Sequence, residues 1–431
     1  MKNQSKMLKL AVLGISVICL CAFAVTSVNA AVEKPERIIA APSTDAGGFS
    51  FIVVGDTPNT DFNLNKNDDC YDLSAITPCN TDIFPAKRPK KDNCKKYSKE
   101  ETHKLKVKFN EYFPLVLKQM AASLRGKQAP AAAQAAFAVT TGDLVYRGVD
   151  NKHWDTWKGF FGDILSKCPP RMFSVMGNRE TCVVRGDADA MDNFFGAFPC
   201  QVQNGEQLHH FAFFAGNSVF INLCSGGIGS WGPKYAMYDE SFNCTQNTYE
   251  QQMTWLDQVI DYGVGEKGTK HVFVQYHKPS FTNLTHYPLA ACNDPVSKLE
   301  KIKADKHASL NYFVFNSHNH TTEVYRTDSG IMTMVVGGGG GPQRHLNCNA
   351  IHEKPTPEER FWKALGIPLN KRDARVNYFQ VAVKDDDVKI QEICLTERDG
   401  GLSFELGATI DKNGNVTPPA KKGTGKLYPL K

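Results

Sequence analysis

The 431-residue chain lacks a strong excess of charge of either sign, since it has 50 lysines and arginines against 45 aspartates and glutamates. A protein dedicated to nucleic acid usually carries a basic stripe with interleaved aromatic side chains, and this balance argues against one. Hydrophobic residues make up 42% of the chain and charged residues 22%, which are ordinary globular proportions. These proportions exclude a disordered chain, a collagen-like chain and a protein with many membrane spans.

Long apolar runs are also scarce, and the one from Leu10 to Val25 is short for a membrane span. Three lysines precede this run, and Val28-Asn29-Ala30 follows it with small residues at the spacing of a cleavage site. The pattern predicts a secretory signal peptide at residues 1–30 rather than a membrane anchor. We therefore expect a secreted or periplasmic protein that does not act at a membrane.

The sequence contains no CxxC pair, which argues against a zinc ribbon or a thioredoxin-like redox motif. Two of the 13 cysteines lie in the predicted signal peptide, which leaves 11 for the exported chain. Most of these should pair in an oxidising compartment, and the odd number leaves at least one that is free or joined to another chain. Cys70, Cys79 and Cys94 fall in a polar stretch, residues 59–103, which we interpret as a disulfide-tied insertion.

Short apolar segments alternate with amphipathic segments of helical period, which predicts an α/β fold. Residues 51–55 are typical of a buried strand, and residues 248–259 of an amphipathic helix. Residues 378–383 and 388–394 flank a polar turn and predict a hairpin. We assign one main domain to residues 31–395, including the insertion, and a C-terminal hairpin or loose tail to residues 396–431.

Five polar clusters each follow an apolar segment directly. They are Gly55-Asp56-Thr57, Gly142-Asp143-Leu144-Val145-Tyr146, Gly177-Asn178-Arg179-Glu180, Tyr276-His277-Lys278-Pro279 and Ser317-His318-Asn319-His320. Active sites of open α/β sheets lie beyond the carboxyl ends of the strands, so these clusters are expected to meet. Each cluster alone is common in turns and on surfaces, and the evidence for a site is the ordered set of five.

The side chains in these clusters are those of a metal centre. Carboxylate and phenolate oxygens suit hard cations, and imidazole suits Zn, Fe or Mn. A carboxylate can bridge two ions, which is the arrangement that many phosphoryl-transfer hydrolases use. The clusters therefore predict a binuclear metal site.

In its order and spacing, the set resembles the calcineurin-like metallophosphoesterase superfamily, and within it the purple acid phosphatases. Most relatives have a metal-binding histidine where this chain has Pro58, and purple acid phosphatases instead have a tyrosine three residues after the second aspartate, where Tyr146 stands. His286, nine residues after His277, matches a family histidine that faces the phosphate. The resemblance covers residues 50–340 and leaves out the insertion.

The resemblance implies a four-layer α/β fold in which two mixed β-sheets form a sandwich flanked by helices. It implies a first metal, Fe(III), and a second that is Fe(II), Zn or Mn, with Asp143 as the bridge. The implied ligands are Asp56, Asp143, Tyr146 and His320 for the first metal, and Asp143, Asn178, His277 and His318 for the second. The implied activity is that of an acid phosphatase on small-molecule phosphate monoesters.

One departure from the family pattern affects the chemistry, because Arg179 stands where the family has a phosphate-facing histidine. An arginine can hold phosphate oxygens with two parallel hydrogen bonds, but it does not release a proton. We therefore assign Arg179 to phosphate binding, Asn178 to ligation and orientation, and His286 to protonation of the leaving group. The Gly-rich stretch at residues 337–341 is interpreted as a tight turn beside the site rather than a nucleotide loop.

Two alternatives remain open on the sequence. The same site could act on phosphodiesters or nucleotides. Arg179 and the large insertion would also fit a secreted binding protein on a degenerate scaffold that has no activity. The remaining histidines, including His209 and His210, are interpreted as ordinary core or surface residues. The natural substrate, the disulfide map and the oligomeric state are not determined by the sequence.

Overall fold

The computed structural model describes residues 32–44, 48–57, 113–127, 134–181, 188–225, 249–280, 294–318, 320, 322–339, 376–398, 401–417 and 427–428. The predicted signal peptide, Pro58, the insertion at 59–103 and His286 lie outside these residues. The chain divides into a short unit, Met1–Lys34, and a compact unit, Pro35–Lys431. All the strands and helices of the described residues lie in the second unit.

The strands are numbered in chain order. They are β1 Phe49–Val54, β2 Phe137–Thr140, β3 Met172–Ser174, β4 Val202–Gln203, β5 Glu206–Gln207, β6 Phe211–Ala215, β7 Ser218–Asn222, β8 His271–Gln275, β9 Asn311–Asn316, β10 Thr322–Arg326, β11 Met332–Val336, β12 Asn377–Lys384, β13 Asp387–Arg398, β14 Gly401–Asp411, β15 Val416–Thr417 and β16 Leu427–Tyr428. Most of the central strands are buried on both faces, which explains their continuous apolar sequences.

The helices alternate with these strands. They are α1 at residues 113–124, α2 Asn151–Leu165, the single turn α3 Asn178–Thr181, α4 Ala188–Ala197, α5 Tyr249–Lys267 and α6 Pro295–Asp305. Asp150 caps α2 by accepting a hydrogen bond from the Lys152 N–H. Asp294 caps α6 in the same way from Val296, and Pro295 occupies the first turn, where its missing N–H costs nothing.

Two large mixed sheets are formed. The first has the strand order β15-β14-β13-β12-β1-β2-β3, with β16 also pairing with β14, and the second has the order β10-β11-β9-β8-β7-β6. In the first sheet β1, β2 and β3 run parallel, whereas β12 joins β1 antiparallel. In the second, β7, β8, β9 and β11 run parallel, with β6 and β10 antiparallel at the edges. Each sheet therefore has a parallel core whose strands end at one common edge.

The sheets face each other across a phenylalanine-rich core. The ring of Phe220 stacks on Phe213 at 4.7 Å and on Phe273 at 4.8 Å, and Phe51 approaches Phe220 edge-on at 4.9 Å. On the outer face of the first sheet a separate core includes α1, α2 and α4, and on the outer face of the second sheet another includes α5 and α6. The order is helices, sheet, sheet, helices, and the predicted four-layer α/β sandwich is confirmed.

The C-terminal strands belong to the first sheet. The predicted hairpin is present as β12 and β13, paired from Asn377 with Cys394 to Lys384 with Asp387. After it, β14 pairs with β13 along its length, and Phe404, Ala408 and Ile410 are fully buried. Within the segment predicted as a hairpin or loose tail, residues 401–411 thus form an integral strand, whose alternating apolar residues pack into the cores.

The segment that begins at Pro35 covers the edge of the second sheet. The N–H of Ile39 donates to the carbonyl of Ala212 at 2.9 Å, and the N–H of Ala212 donates to the carbonyl of Arg37 at 3.0 Å. The indole of Trp255 on α5 donates to the carbonyl of Glu36 at 3.0 Å. These bonds satisfy groups of the edge strand β6 that would otherwise be open to other chains.

A disulfide joins Cys168, after α2, to Cys200, after α4. The three cysteines of the predicted insertion lie outside the described residues, so their pairing stays a prediction. None of the helices among the described residues is long and apolar enough to cross a bilayer.

Candidate metal centre

The polar clusters predicted at strand ends do meet. Asp56 follows β1, Asp143 follows β2, His277 follows β8 and His318 follows β9. A hydrogen bond links the two sheets here, since the N–H of Gly55, after β1, donates to the carbonyl of Val336, in β11, at 3.0 Å. The site therefore lies at the carboxyl edge of both parallel cores.

Two groups of buried side chains at this edge could each hold a cation. One consists of Asp143, His277 and His318, and the other of Asp56, Asp143 and His320. Within each group the ligand atoms lie within 4.8 Å of one another. Asp143 belongs to both groups, as expected of a carboxylate that bridges two cations.

Asp56 is held by the loop after β9. Its Oδ1 accepts a hydrogen bond from the N–H of His318 at 3.1 Å, and its Oδ2 accepts one from the N–H of His320 at 3.0 Å. Gly337 packs against it so closely that a Cβ there would lie 2.3 Å from Oδ2. Gly337 is the first residue of the glycine-rich turn predicted beside the site. A glycine is required at this position because no side chain fits there.

Four of the predicted ligands adopt left-handed backbone conformations. The φ angles are 54° at Asp56, 55° at Asp143, 72° at His318 and 49° at His320. Such angles are uncommon for residues other than glycine and persist where the surrounding structure enforces them, which is often at functional sites. Their concentration at these four residues marks the edge as functional independently of the sequence motifs.

The hydrogen bonds of His277 indicate which of its ring nitrogens carries the proton. Its Nδ1 lies 2.8 Å from the carbonyl oxygen of Thr141, which can only accept, so Nδ1 carries the proton. The unprotonated Nε2 then faces Asn178 Oδ1 at 2.9 Å and Asp143 Oδ1 at 3.3 Å. The ligand atoms of Asp143, His277 and His318 converge here with Asn178 Oδ1 beside them, as ligand atoms around a cation do. The residues present therefore fit a metal ion.

The electrostatics of His277 agree with this assignment. Complete burial lowers the pKa of His277 to about 4, so the imidazole is neutral at ordinary pH. A neutral imidazole whose other nitrogen donates to a backbone carbonyl is the usual form of a metal-binding histidine. Asn178 Oδ1 also lies 2.8 Å from His318 Nδ1, which places the amide between the two imidazoles.

Glu180 was not assigned a role from the sequence, although it lies in the third cluster. Its fully buried carboxylate accepts hydrogen bonds from four backbone N–H groups, at distances of 2.6–3.2 Å. The donors are Asp143, Leu144, Val145 and Gly177. Burial, with the charge of Asp143 adding to it, raises the pKa of Glu180 to about 7. The carboxylate thus fixes the loop after β2 to the turn after β3. The signal that the sequence offered was an acidic residue three positions after Gly177.

Tyr146 is buried between a cationic and an aromatic neighbour. The guanidinium of Arg179 lies over its ring, 4.8 Å from the centroid, and the His153 ring lies 6.2 Å away, edge-on. Arg179 in turn contacts Asp143, since its backbone N–H donates to Oδ1 at 2.8 Å and its Nε lies 3.9 Å from Oδ2. Tyr146 is therefore connected to the bridging position through Arg179, and its role as a ligand stays a prediction.

Of the predicted site residues, the structure brings the two aspartates, Asn178, Arg179 and the three histidines of the motifs together, with Tyr146 beside them. His286, the predicted acid, lies outside the described residues, and so does Pro58. His209 and His210, interpreted from the sequence as ordinary histidines, are buried beside β6.

No family model matches the chain, and no curated protein sequence does. Among solved structures, a dimetal phosphatase from Danio rerio is similar at 14% identity and a TM-score of 0.44, over 80% of this chain and 95% of that one. GAP50, the anchor in the inner membrane complex of Plasmodium, is similar at 12% identity and a TM-score of 0.36, over 82% and 86%. A predicted phosphoesterase from Streptococcus pneumoniae is similar at 9% identity and a TM-score of 0.22, over 80% and 90%.

These similarities are low, whereas the chain's own topology and ligand geometry are specific. The two face-to-face mixed sheets carry the ordered polar clusters at one edge, and two groups of metal-binding side chains there share a carboxylate. The topology and the two ligand groups agree with the four-layer sandwich and the binuclear site that the sequence resemblance implies.

Proposed function

We propose that this protein is a metal-dependent phosphoric ester hydrolase that acts on small-molecule phosphate monoesters. The observation that carries the proposal is the sharing of Asp143 between two buried ligand groups. A pair of cations held there supplies positive charge for the phosphate oxygens and lowers the pKa of a water molecule.

The chain's own residues would divide the remaining work. Asn178, between His277 and His318, orients the substrate beside the ligand groups. The Nε of Arg179 lies 3.9 Å from Asp143 Oδ2, so its guanidinium borders the ligand groups and would contribute charge to phosphate binding. His286 is assigned the proton for the leaving group on the resemblance alone.

The finer proposals concern the metal, the conditions and the location. Tyr146 with Pro58 supports a purple acid phosphatase-like centre, with Fe(III) in the first site and Fe(II), Zn or Mn in the second. Activity at acidic pH and export through the signal peptide at residues 1–30 complete the proposal. Location is tested by expressing the full chain in a bacterium and locating the protein, where a mature N-terminus at Ala31 outside the cytoplasm is expected.

The activity is tested on purified, metal-loaded protein. We expect about two metal ions per chain and turnover of p-nitrophenyl phosphate well above that of bis(p-nitrophenyl) phosphate. Faster turnover of the diester would instead support the phosphodiesterase alternative. Metal-loaded protein that hydrolyses neither ester would contradict the proposal and favour the binding-protein alternative.

Substrates with different leaving groups distinguish the proposed roles of Arg179 and His286. Removing a charge contact to the transition state typically lowers the rate about 10²–10³-fold, so Arg179→Ala should slow every ester. His286→Ala should slow alkyl phosphates far more than p-nitrophenyl phosphate, because a good leaving group needs no proton. Equal losses on both substrates in His286→Ala would remove His286 from the acid role.

A further inference from the structure

Arg179 is placed where its charge acts on the metal ligands as well as on a substrate. Its guanidinium lies over the Tyr146 ring, and its Nε lies 3.9 Å from Asp143 Oδ2. The side chain of Asp143 is only 1% exposed and that of Arg179 is 12% exposed, so water screens this contact weakly. The guanidinium therefore supplies a permanent positive charge beside the shared carboxylate.

The permanent charge has opposite effects on the metal-free and the metal-loaded protein. Without metal, the site buries the carboxylates of Asp56 and Asp143, and a neighbouring cation lowers the cost of burying them. With metal, the same guanidinium repels the incoming ions and shares Asp143 with them. In this chain the cation is the guanidinium of Arg179, which lies against the shared carboxylate of Asp143.

We propose that Arg179 is a positioning residue that competes with metal ions for Asp143 and Tyr146, and so stabilises the metal-free fold while weakening metal binding. The inference rests on the metal centre of the proposed function. It adds that the metal affinity of this chain is set below what its ligands alone would give. The Arg179 backbone bond to Asp143 survives substitution, because it is made by the N–H.

The test is calorimetric titration of metal-free protein with Zn²⁺. Arg179→Met keeps the length of the side chain and removes the charge, and it should bind Zn²⁺ about tenfold more tightly than the wild type. Arg179→Lys keeps the charge and loses the planar group, and its affinity should stay near that of the wild type. Arg147→Met, at an exposed arginine directly after Tyr146, is the matched control and should bind like the wild type.

Thermal unfolding supplies a second measurement. Metal-free Arg179→Met should melt below the wild type, and the rise in melting temperature with saturating Zn²⁺ should be larger than in the wild type. A residue with a merely structural role would lower both the stability and the affinity, so tighter binding separates the two explanations.

The inference is overturned if Arg179→Met binds Zn²⁺ no more tightly than the wild type. If the wild type still hydrolyses phosphate esters in that case, the proposed function stands. Wild-type protein that binds no Zn²⁺ overturns the inference, and the proposed function falls with it only if protein loaded with iron or Mn²⁺ hydrolyses no phosphate ester.

Discussion

The carboxylate of Glu180 holds the backbone of Asp143, since its Oε2 accepts the Asp143 N–H at 2.8 Å. The same oxygen accepts the N–H of Gly177 at 2.7 Å, so one buried atom joins the ends of β2 and β3. The shared ligand of the two metal groups is thus positioned by a side chain that belongs to neither of them. This relationship makes the metal centre sensitive to a residue outside both ligand groups.

Replacing Glu180 by glutamine tests this relationship. The amide keeps the shape but turns one acceptor into a donor that faces backbone N–H groups, so at least one buried hydrogen bond is lost. We expect a loss of about 2–4 kcal/mol in the free energy of unfolding of the metal-free protein, measured with urea. Zn²⁺ affinity should fall as well, because Asp143 is no longer held. Glu250→Gln, at an exposed position in the first turn of α5, is the control. The prediction would be contradicted if Glu180→Gln had the same free energy of unfolding as this control.

Asp143 is expected to be the least replaceable ligand because it belongs to both groups. Asp143→Asn removes the charge that two cations would share, so both metal ions and nearly all phosphatase activity should be lost. Metal content per chain and turnover of p-nitrophenyl phosphate measure this. His209→Ala, a buried histidine outside the motifs, should retain the metal, and equal metal loss in both variants would place the centre elsewhere.

Tyr146 as a ligand of Fe(III) predicts a coloured metal centre. If Tyr146 binds Fe(III), the iron-loaded protein has a visible charge-transfer band, and Tyr146→Phe should lose the band while staying folded. Absorption spectra and thermal unfolding of both proteins measure this. Iron-loaded wild type that lacks the band would show that Tyr146 is not a ligand.

The pH dependence of stability should come in part from His209. Burial, with the nearby charge of Arg37 adding to it, lowers the pKa of His209 to about 4, whereas an unfolded histidine titrates near 6.5. The unfolded chain therefore binds protons first, and the stability that neutral His209 contributes is present above pH 6.5 and is lost as the pH falls toward 4. Between pH 7 and pH 5 this amounts to about 2 kcal/mol.

His209→Gln should accordingly flatten the fall in unfolding free energy between pH 7 and pH 5 by about that amount. Urea unfolding at both values measures it, and a comparison at pH 8 gives the cost of the substitution alone. A fall as steep as that of the wild type would rule out His209 as a source. His210, whose pKa burial lowers to about 3, contributes with the same sign, so acid conditions weaken this fold even if they favour its activity.

Several elements were predictable from local pattern. Hydrophobic periodicity, which can be read from a short stretch of sequence, predicts the strand before Asp56, the hairpin of β12 and β13, and the apolar face of α5. The helix α6 was missed although Asp294 and Pro295 mark its start, because a capping residue is a weaker signal than periodicity. Strand β10 was also missed, since its sequence contains Glu323 and Arg326 and its burial depends on the neighbouring strand β11.

By itself, the sequence determined the order of the strand-end clusters and which side chains were predicted as ligands, because these are properties of residue type and position along the chain. The resemblance already implied that Asp143 is shared by the two metals. Only the tertiary structure decided that Glu180 holds four backbone N–H groups and that Arg179 lies over Tyr146. Such contacts depend on how β2, β3, β8 and β9 align at one edge of two sheets. That alignment comes from packing across a shared core, which no local stretch of sequence specifies.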